Sequence, residues 1–152
     1  MRVDQQIESF IKLNQAAAMT TLRRDGSAHT VRVGVGIVGG KLWSSGTQTR
    51  VRTKHLRRDS RSTLFVFDNQ FRWLALECTI TILDGVDAPQ LNLRLMQEFQ
   101  RDMSVEPGKI SWFGRQLTQE EFFKTMIDEQ RLIYEFEILR AYGMYGGMPT
   151  SP

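Results

Sequence analysis

The sequence predicts an α+β fold in which six antiparallel strands close into a small barrel and helices lie at its periphery. Three observations indicate this class. Strand-like alternation of apolar and polar residues dominates the first half, glycine-containing turn signals join its first strands, and the longest helical pattern comes only after residue 87. With 152 residues, 41% of them hydrophobic, we expect residues 1–152 to form one folded domain.

The first half contains two short helical patterns and most of the strands. A helix is predicted over residues 4–13 with Asp4 as its N-cap, and a second helix over residues 51–58. The dipeptides Asp-Gly at 25–26 and Gly-Gly at 39–40 are signals for tight turns between antiparallel strands. The predicted strands of this half cover residues 17–22, 28–38, 41–45, 63–67 and 73–83.

The second half contains two predicted helices, one of them the longest of the chain. Pro89 suits the first turn of a helix, and Thr118 with Glu121 has the spacing of a capping box. Proline and glycine residues between these two helices predict a loop. The predicted elements are a helix over residues 88–103, a loop over 105–115, a helix over 118–127, a strand over 131–138 and a tail over 142–152.

A basic segment, residues 44–61, joins the third strand to the fourth. Six of the twelve residues at 50–61 are Lys or Arg, and a glycine and several hydroxyl residues precede them. Glycine lets an anion approach the backbone, and hydroxyls with the free amides of a helix start bind phosphate well. Lys and Arg add full charges. We interpret the segment as the binding site for the phosphate of a small anionic cofactor. The alternative is a basic helix face exposed to solvent.

The second predicted strand has glycines on one face. Residues at the odd positions from His29 onward are mostly valines expected in the core, whereas Thr30, Arg32, Gly34 and Gly36 share the opposite face. Glycine within a strand often marks the close approach of another group. The two glycines could form a floor for a planar ring, with Thr30 and Arg32 bonding its polar rim. A barrel bend that needs glycine is the alternative.

The composition argues against several kinds of site. His29, His55 and the one cysteine, Cys78, are isolated in the sequence, so we predict no catalytic side chain and no metal site. A single cysteine excludes an internal disulfide and favours the reducing cytoplasm. No membrane helix is expected, and the clustering of the basic residues favours a local anion site over a nucleic-acid surface. A cofactor would then carry the chemistry, unless the protein only binds its ligand.

Three segments resemble the split-β-barrel family that includes pyridoxamine 5′-phosphate oxidase. They are MTTLRRDGSAHTVRV at 19–33, LWSSGTQTRVRTKHLRRDSR at 42–61 and RWLALE at 72–77. They are most similar to the branch that uses coenzyme F420 and includes biliverdin reductases. The resemblance extends over residues 7–143.

This resemblance implies an FMN-binding type of split barrel, a homodimer with flavin or deazaflavin in a groove at the dimer interface. The implied function is that of a cytoplasmic F420-dependent oxidoreductase, which passes a hydride from the reduced deazaflavin to an unidentified conjugated organic acceptor. The alternatives are an FMN-binding flavoprotein of the pyridoxamine-phosphate-oxidase type and a non-catalytic carrier of cofactor or ligand.

The resemblance also implies which residues hold the cofactor. The phosphate group of residues comprises Thr47, Thr49, Arg50, Arg52 and Lys54, and the ring group comprises Thr30, Val31, Arg32, Val33, Gly34, Trp43, Ser44 and Ser45. Arg57 and Arg58 could meet the carboxylates of an F420 tail, or be structural with Asp59 as a partner. Residues 88–130 are longer than in compact members and are expected to cover the substrate side, so the substrate cannot be carried over. Arg52 stands where the family usually has lysine.

Overall fold

The structure is a computed structural model that describes residues 3–146. Its elements, in chain order, are α1 (Gln5–Leu13), β1 (Ala16–Leu22), β2 (Ala28–Gly34), β3 (Gly36–Val38), β4 (Lys41–Thr47), α2 (Val51–Arg58), β5 (Arg61–Phe67), β6 (Trp73–Leu83), α3 (Ala88–Phe99), β7 (Lys109–Trp112), β8 (Arg115–Thr118), α4 (Gln119–Asp128) and β9 (Arg131–Met144). Within residues 3–146 no helix is both long enough and apolar enough to cross a membrane.

Seven strands form one curled antiparallel sheet in the order β2-β1-β5-β6-β9-β4-β3. The remaining two, β7 and β8, form a separate hairpin. The predicted class, an α+β split barrel with peripheral helices, is confirmed. All six predicted strands occur, one of them as two separate strands, and the β7–β8 hairpin brings the number in the described chain to nine.

One predicted strand is in fact two. The strand predicted over residues 28–38 is interrupted at Val35, whose amide donates to the Gln15 carbonyl at 2.9 Å. On either side of this residue, β2 pairs with β1 and β3 pairs with β4, at opposite ends of the sheet. The chain therefore turns a corner inside a continuous β-type sequence pattern.

The region between the two late helices is also corrected. Helix α3 ends at Phe99, four residues before the predicted end. The loop predicted over residues 105–115 contains β7 and the turn of a hairpin whose second strand, β8, follows at Arg115–Thr118. Phe113 and Gly114 at its tip have φ values of 47° and 82°. Two successive positive φ angles define the tight turn that joins twisted strands, and Asn-Gly is its usual sequence. The dipeptide at this tip is Phe-Gly, which is not a usual turn signal, so the hairpin was not predicted from the sequence.

The predicted helix starts are confirmed. Asp4 accepts a hydrogen bond from the Gln6 amide at 2.9 Å. In the capping box, the Glu121 amide donates to Thr118 Oγ1 at 3.1 Å and the Thr118 amide donates to Glu121 Oε1 at 2.8 Å. The predicted tail starts as the end of β9, and its residues 147–152 lie outside the described part of the chain.

The apolar core has two parts. One fills the barrel and includes Met19, Leu64, Leu76 and Leu132. The other lies between the sheet and the layer formed by α3, α4 and the hairpin, and it includes Trp43, Trp112, Phe122, Met126 and Ile133. Strands β4 and β9 therefore carry apolar residues on both faces, as strands covered on both sides must.

Candidate functional site

The candidate site lies where β4 ends and α2 begins. On one side β4 pairs with β9 as far as Thr47, but on the other it pairs with β3 only as far as Trp43. Beyond Trp43, Ser44 Oγ donates to the Gly34 carbonyl at 2.6 Å and links β4 to the end of β2. A short turn then leads to Arg50, the N-cap of α2.

Arg52 is a partly buried cation without an acidic partner among the residues described. Its Nη2 lies 3.4 Å from the Ser45 carbonyl, and its Cζ lies 5.6 Å from the centre of the Tyr134 ring. Its Nε is buried and has no hydrogen-bond partner among residues 3–146. Burial lowers the pKa of the Arg52 guanidinium, and the nearby Arg50 and Arg131 lower it further, while Tyr134 opposes them. A cation in this position favours an anionic ligand.

The other residues of the phosphate group lie around the same helix start. Thr47 is buried and its hydroxyl lies 3.3 Å from that of Thr49. Arg50 and Lys54 are exposed, one helical turn apart, and neither side chain bonds another residue of the described chain. The first amides of any helix lack intrahelical acceptors. Hydroxyls, free amides and three basic side chains therefore all occur within residues 47–54, at the start of α2.

Three further basic residues are tied to the protein. Arg57 pairs with Asp84 at 2.8 Å, and Arg58 donates to the Leu22 carbonyl. Arg61 pairs with Asp59 at 2.7 Å, and its hydrogen bonds lower the pKa of Asp59 to about 2. Asp59 therefore pairs with Arg61 and not with Arg57 or Arg58. The contacts of Arg57 with Asp84 and of Arg58 with Leu22 support the structural interpretation of these two arginines.

The ring group divides between the two faces of the sheet. Val31 and Val33 pack into the barrel, whereas Thr30 and Arg32 are exposed on its outer face. The hydroxyls of Thr30 and Thr20 lie 3.0 Å apart across the β1–β2 pair. Arg32 has no side-chain partner among the residues described.

The glycine face is occupied from within the chain. A Cβ added at Gly34 would lie 3.2 Å from the Phe99 ring, and one at Gly36 would lie 3.1 Å from Leu95 and from Phe99. Here α3 supplies the group that approaches the glycines closely. The interpretation of the two glycines as a floor for an external ring is therefore wrong, because side chains of α3 occupy that place.

In β4, the remaining ring residues already have protein partners. Trp43 is buried and its Nε1 donates to Glu135 at 2.9 Å, while Ser45 Oγ donates to Asn92 at 2.5 Å. Asn92 is fully buried on α3 and also donates to the Ala88 carbonyl. A lone polar residue within an apolar helix face is the signal that could have identified Asn92.

The two histidines are not isolated in space. The rings of His29 and His55 lie 5.1 Å apart at 85°, and His55 Nδ1 lies 2.9 Å from the Thr21 hydroxyl. His55 lies on a helix rich in basic residues, where a surface position would be expected from the sequence, but it is only 8% exposed. Its pKa is lowered by burial and then by His29, Arg58 and Arg23. Among residues 3–146 no cluster of three or more metal-ligating side chains occurs.

Cys78 is unsuited to nucleophilic chemistry. Its thiol is buried, and burial raises its pKa to about 12. Beside it, the Glu77 carboxylate pairs with Arg140, with 3.5 Å between Glu77 Oε1 and Arg140 Nη1.

Comparisons with known proteins find likeness at the level of structure. No known protein family matches the sequence, and a search of curated proteins finds no match. A conserved hypothetical protein from Mycobacterium tuberculosis is similar over 100% of this chain and 92% of its own, with 18% identity and a TM-score of 0.69.

Two other solved structures are similar over nearly their whole length. A putative pyridoxamine 5′-phosphate oxidase from Listeria innocua has 11% identity and a TM-score of 0.63, covering 93% of this chain and 97% of its own. An F420 reductase has 15% identity and a TM-score of 0.64, covering 91% of this chain and 98% of its own. At these identities the likeness shows the fold alone, the split barrel of pyridoxamine-phosphate-oxidase-like proteins.

Proposed function

We propose that the protein is an oxidoreductase that holds a phosphate-bearing flavin-type cofactor at the start of α2. Arg52 is the observation that carries the proposal. It is a partly buried guanidinium with an unpaired Nε and no carboxylate partner in the described chain. Leaving such a cation unpaired costs free energy, which an anionic ligand would offset.

The residues present fit a phosphate better than a carboxylate alone. Arg52 and Arg50 would donate N–H groups, Thr47 and Thr49 would donate hydroxyls, and Lys54 would add charge. When bound, the reduced cofactor supplies a hydride to an electrophilic, conjugated organic acceptor. On the outer face, the positive charge of Arg32 would stabilise negative charge that develops beside it. No protein nucleophile is required, in keeping with the buried, weakly acidic thiol of Cys78.

We propose coenzyme F420 as the cofactor and FMN as the second candidate. The sequence resemblance favours F420, and one of the similar structures is an F420 reductase. FMN stays open for a specific reason. Arg57, Arg58 and Arg61, which could have bound the carboxylate tail of F420, already have partners in Asp84, Leu22 and Asp59.

We further propose a homodimer that covers the outer face of the sheet. Phe65 and Phe67 are 39% and 58% exposed there, and the ring of Phe65 lies 5.7 Å from that of Trp73. Arg32, Ala18 and Phe65 lie side by side on adjacent strands. A second copy seated on the aromatic residues would therefore border the ring group. We expect Phe67→Asp to convert a dimer to a monomer in light scattering, and a dimer that persists would contradict this interface.

The decisive experiment is a titration of the protein with F420 and, separately, with FMN, followed by fluorescence. We expect micromolar binding of F420 and weaker binding of FMN, and turnover with an acceptor would exclude a mere carrier. Arg52→Gln should weaken binding by about tenfold to a hundredfold, the value of a charged hydrogen bond. Arg57→Gln is the matched control on the same helix. If neither cofactor binds, the cofactor proposal is wrong.

A further inference from the structure

Strand β9 brings a sixth residue to the start of α2. In the β4–β9 ladder Arg131 lies directly opposite Thr47. Residues opposite each other in an antiparallel pair project from the same face of the sheet. Arg131 therefore lies beside the hydroxyl pair of Thr47 and Thr49, although it is distant from them in sequence.

The Arg131 side chain is held in place by two contacts, but only part of its guanidinium group is hydrogen-bonded. Its Cζ lies 5.0 Å from the centre of the Trp112 ring, its Nε donates to Glu129 at 2.8 Å, and the side chain is 11% exposed. A guanidinium has five N–H donors. The Nη groups of Arg131 have no acceptor in the described chain, so they are free to bind a ligand.

The local charge is strongly unbalanced. Arg50 and Arg131 are both near enough to Arg52 to repel it, and this repulsion contributes to the lowered pKa of Arg52. Among the contacts of these three residues in the described chain, Glu129 is the one carboxylate. Three guanidinium groups around two hydroxyls suit a tetrahedral oxyanion, because planar forks can each contact its oxygens.

We propose that Arg131, held against Trp112 and oriented by Glu129, is a further phosphate-binding residue of this site. This inference rests on the anion site of the proposed function. It extends that site from the basic segment to the hairpin and β9, so that phosphate binding connects β4, α2 and β9. The ligand class is a phosphate group, either free or part of a cofactor.

The test uses inorganic phosphate and pyrophosphate as probes, followed by tryptophan fluorescence and by the rise in Tm that each ligand causes. Arg131→Gln should lower pyrophosphate affinity about tenfold or more and make its salt dependence shallower. Arg131→Lys should restore part of the affinity, since it keeps the charge but lacks the planar fork. Arg140→Gln, with the same charge change at the other end of β9, should have little effect.

A second variant protects the test against a folding defect. Glu129→Gln keeps a side-chain oxygen that can accept from Arg131 Nε and so preserves its orientation. It removes the opposing charge, and should therefore raise pyrophosphate affinity about twofold to fivefold, the scale of an exposed ion pair. A purely structural Arg131 would not give opposite shifts in the two variants. Equal losses in Arg131→Gln and Arg140→Gln, or no gain in Glu129→Gln, would overturn the proposal.

The outcomes separate this inference from the proposed function. If the phosphates bind and depend on Arg131 while F420 and FMN do not bind, the anion site stands and the cofactor assignment fails. If a cofactor binds equally well to the wild type and to Arg131→Gln, the cofactor assignment stands and the role of Arg131 is refuted.

Discussion

Thr53 connects the helix of the candidate site to both neighbouring strands, and its replacement by valine is the most informative stability test. Thr53 Oγ1 donates to the Thr47 carbonyl at 2.6 Å and accepts from the Tyr134 hydroxyl. The side chains of Thr53 and Tyr134 are fully buried, at 0% exposure. Valine has nearly the same shape as threonine, so the change removes the hydrogen bonds and leaves the packing in place.

The size of the effect follows from the groups left without partners. In Thr53→Val, the Thr47 carbonyl loses its side-chain donor and the Tyr134 hydroxyl loses its acceptor. The Thr47 carbonyl still accepts from the Arg50 amide at 3.3 Å, so its lost hydrogen bond should cost about 1 kcal/mol. The orphaned Tyr134 hydroxyl should cost about 1–3 kcal/mol, so we expect a total loss of about 2–4 kcal/mol in the free energy of unfolding. Tyr134→Phe removes one hydrogen bond but lets Thr53 continue to donate to Thr47, and should cost about 1 kcal/mol.

Urea unfolding of the wild type, both single variants and the double variant completes the test. The double variant should lose less than the sum of the single losses by about 1 kcal/mol, because a phenylalanine leaves no orphaned hydroxyl opposite the introduced valine. The m-values should be unchanged. A loss in Thr53→Val no larger than that in Tyr134→Phe would refute the assignment of Thr53 as the residue that joins the two contacts.

Three other predictions concern packing and ionisation. Gly46→Ala should lower the free energy of unfolding in urea by about 3 kcal/mol, because the new methyl would overlap the Tyr134 hydroxyl. Gly85→Ala is the control and should cost little, because its new methyl would lie 3.2 Å from Asp87 Oδ1, at the end of a side chain that can move. The pKa of His55 is lowered from 6.5, so the folded state binds this proton more weakly than the unfolded state does. The free energy of unfolding should therefore fall as the pH drops below 6.5. A His55→Asn variant with the same pH dependence would contradict this. The Cys78 thiol, with a pKa of about 12, should resist labelling at pH 8 until urea is added, and rapid labelling of the native protein would contradict its burial.

Local signals were enough to predict much of the fold. The capping residues Asp4 and Thr118 mark helix starts because their partners lie within three residues. The end of α3 was missed because Met103 continues the apolar period, although it is 54% exposed and beyond the helix. The break at Val35 was missed because it reflects a change of pairing partner, which no local pattern records.

The candidate site also has residues that could be predicted from the sequence and residues that could not. The basic residues at the start of α2 are adjacent in sequence, so their clustering can be read directly. Arg131 and Tyr134 join them only through the register of β9 against β4, and the contact between His29 and His55 depends on how α2 packs on β1. Such neighbours become visible only when the strands are paired.

The position of β9 has a consequence for how the chain acquires its structure. This strand lies between β6 and β4, so before it is made the sheet consists of two pieces, β2-β1-β5-β6 and β4-β3. Until Arg131 and the residues after it leave the ribosome, the facing edges of β6 and β4 are unpaired, and unpaired edges invite aggregation. Pairing of distant strands is also slow. Folding of the barrel during synthesis must therefore await its last strand, and a nascent chain stalled before Arg131 would depend on chaperones to remain unaggregated.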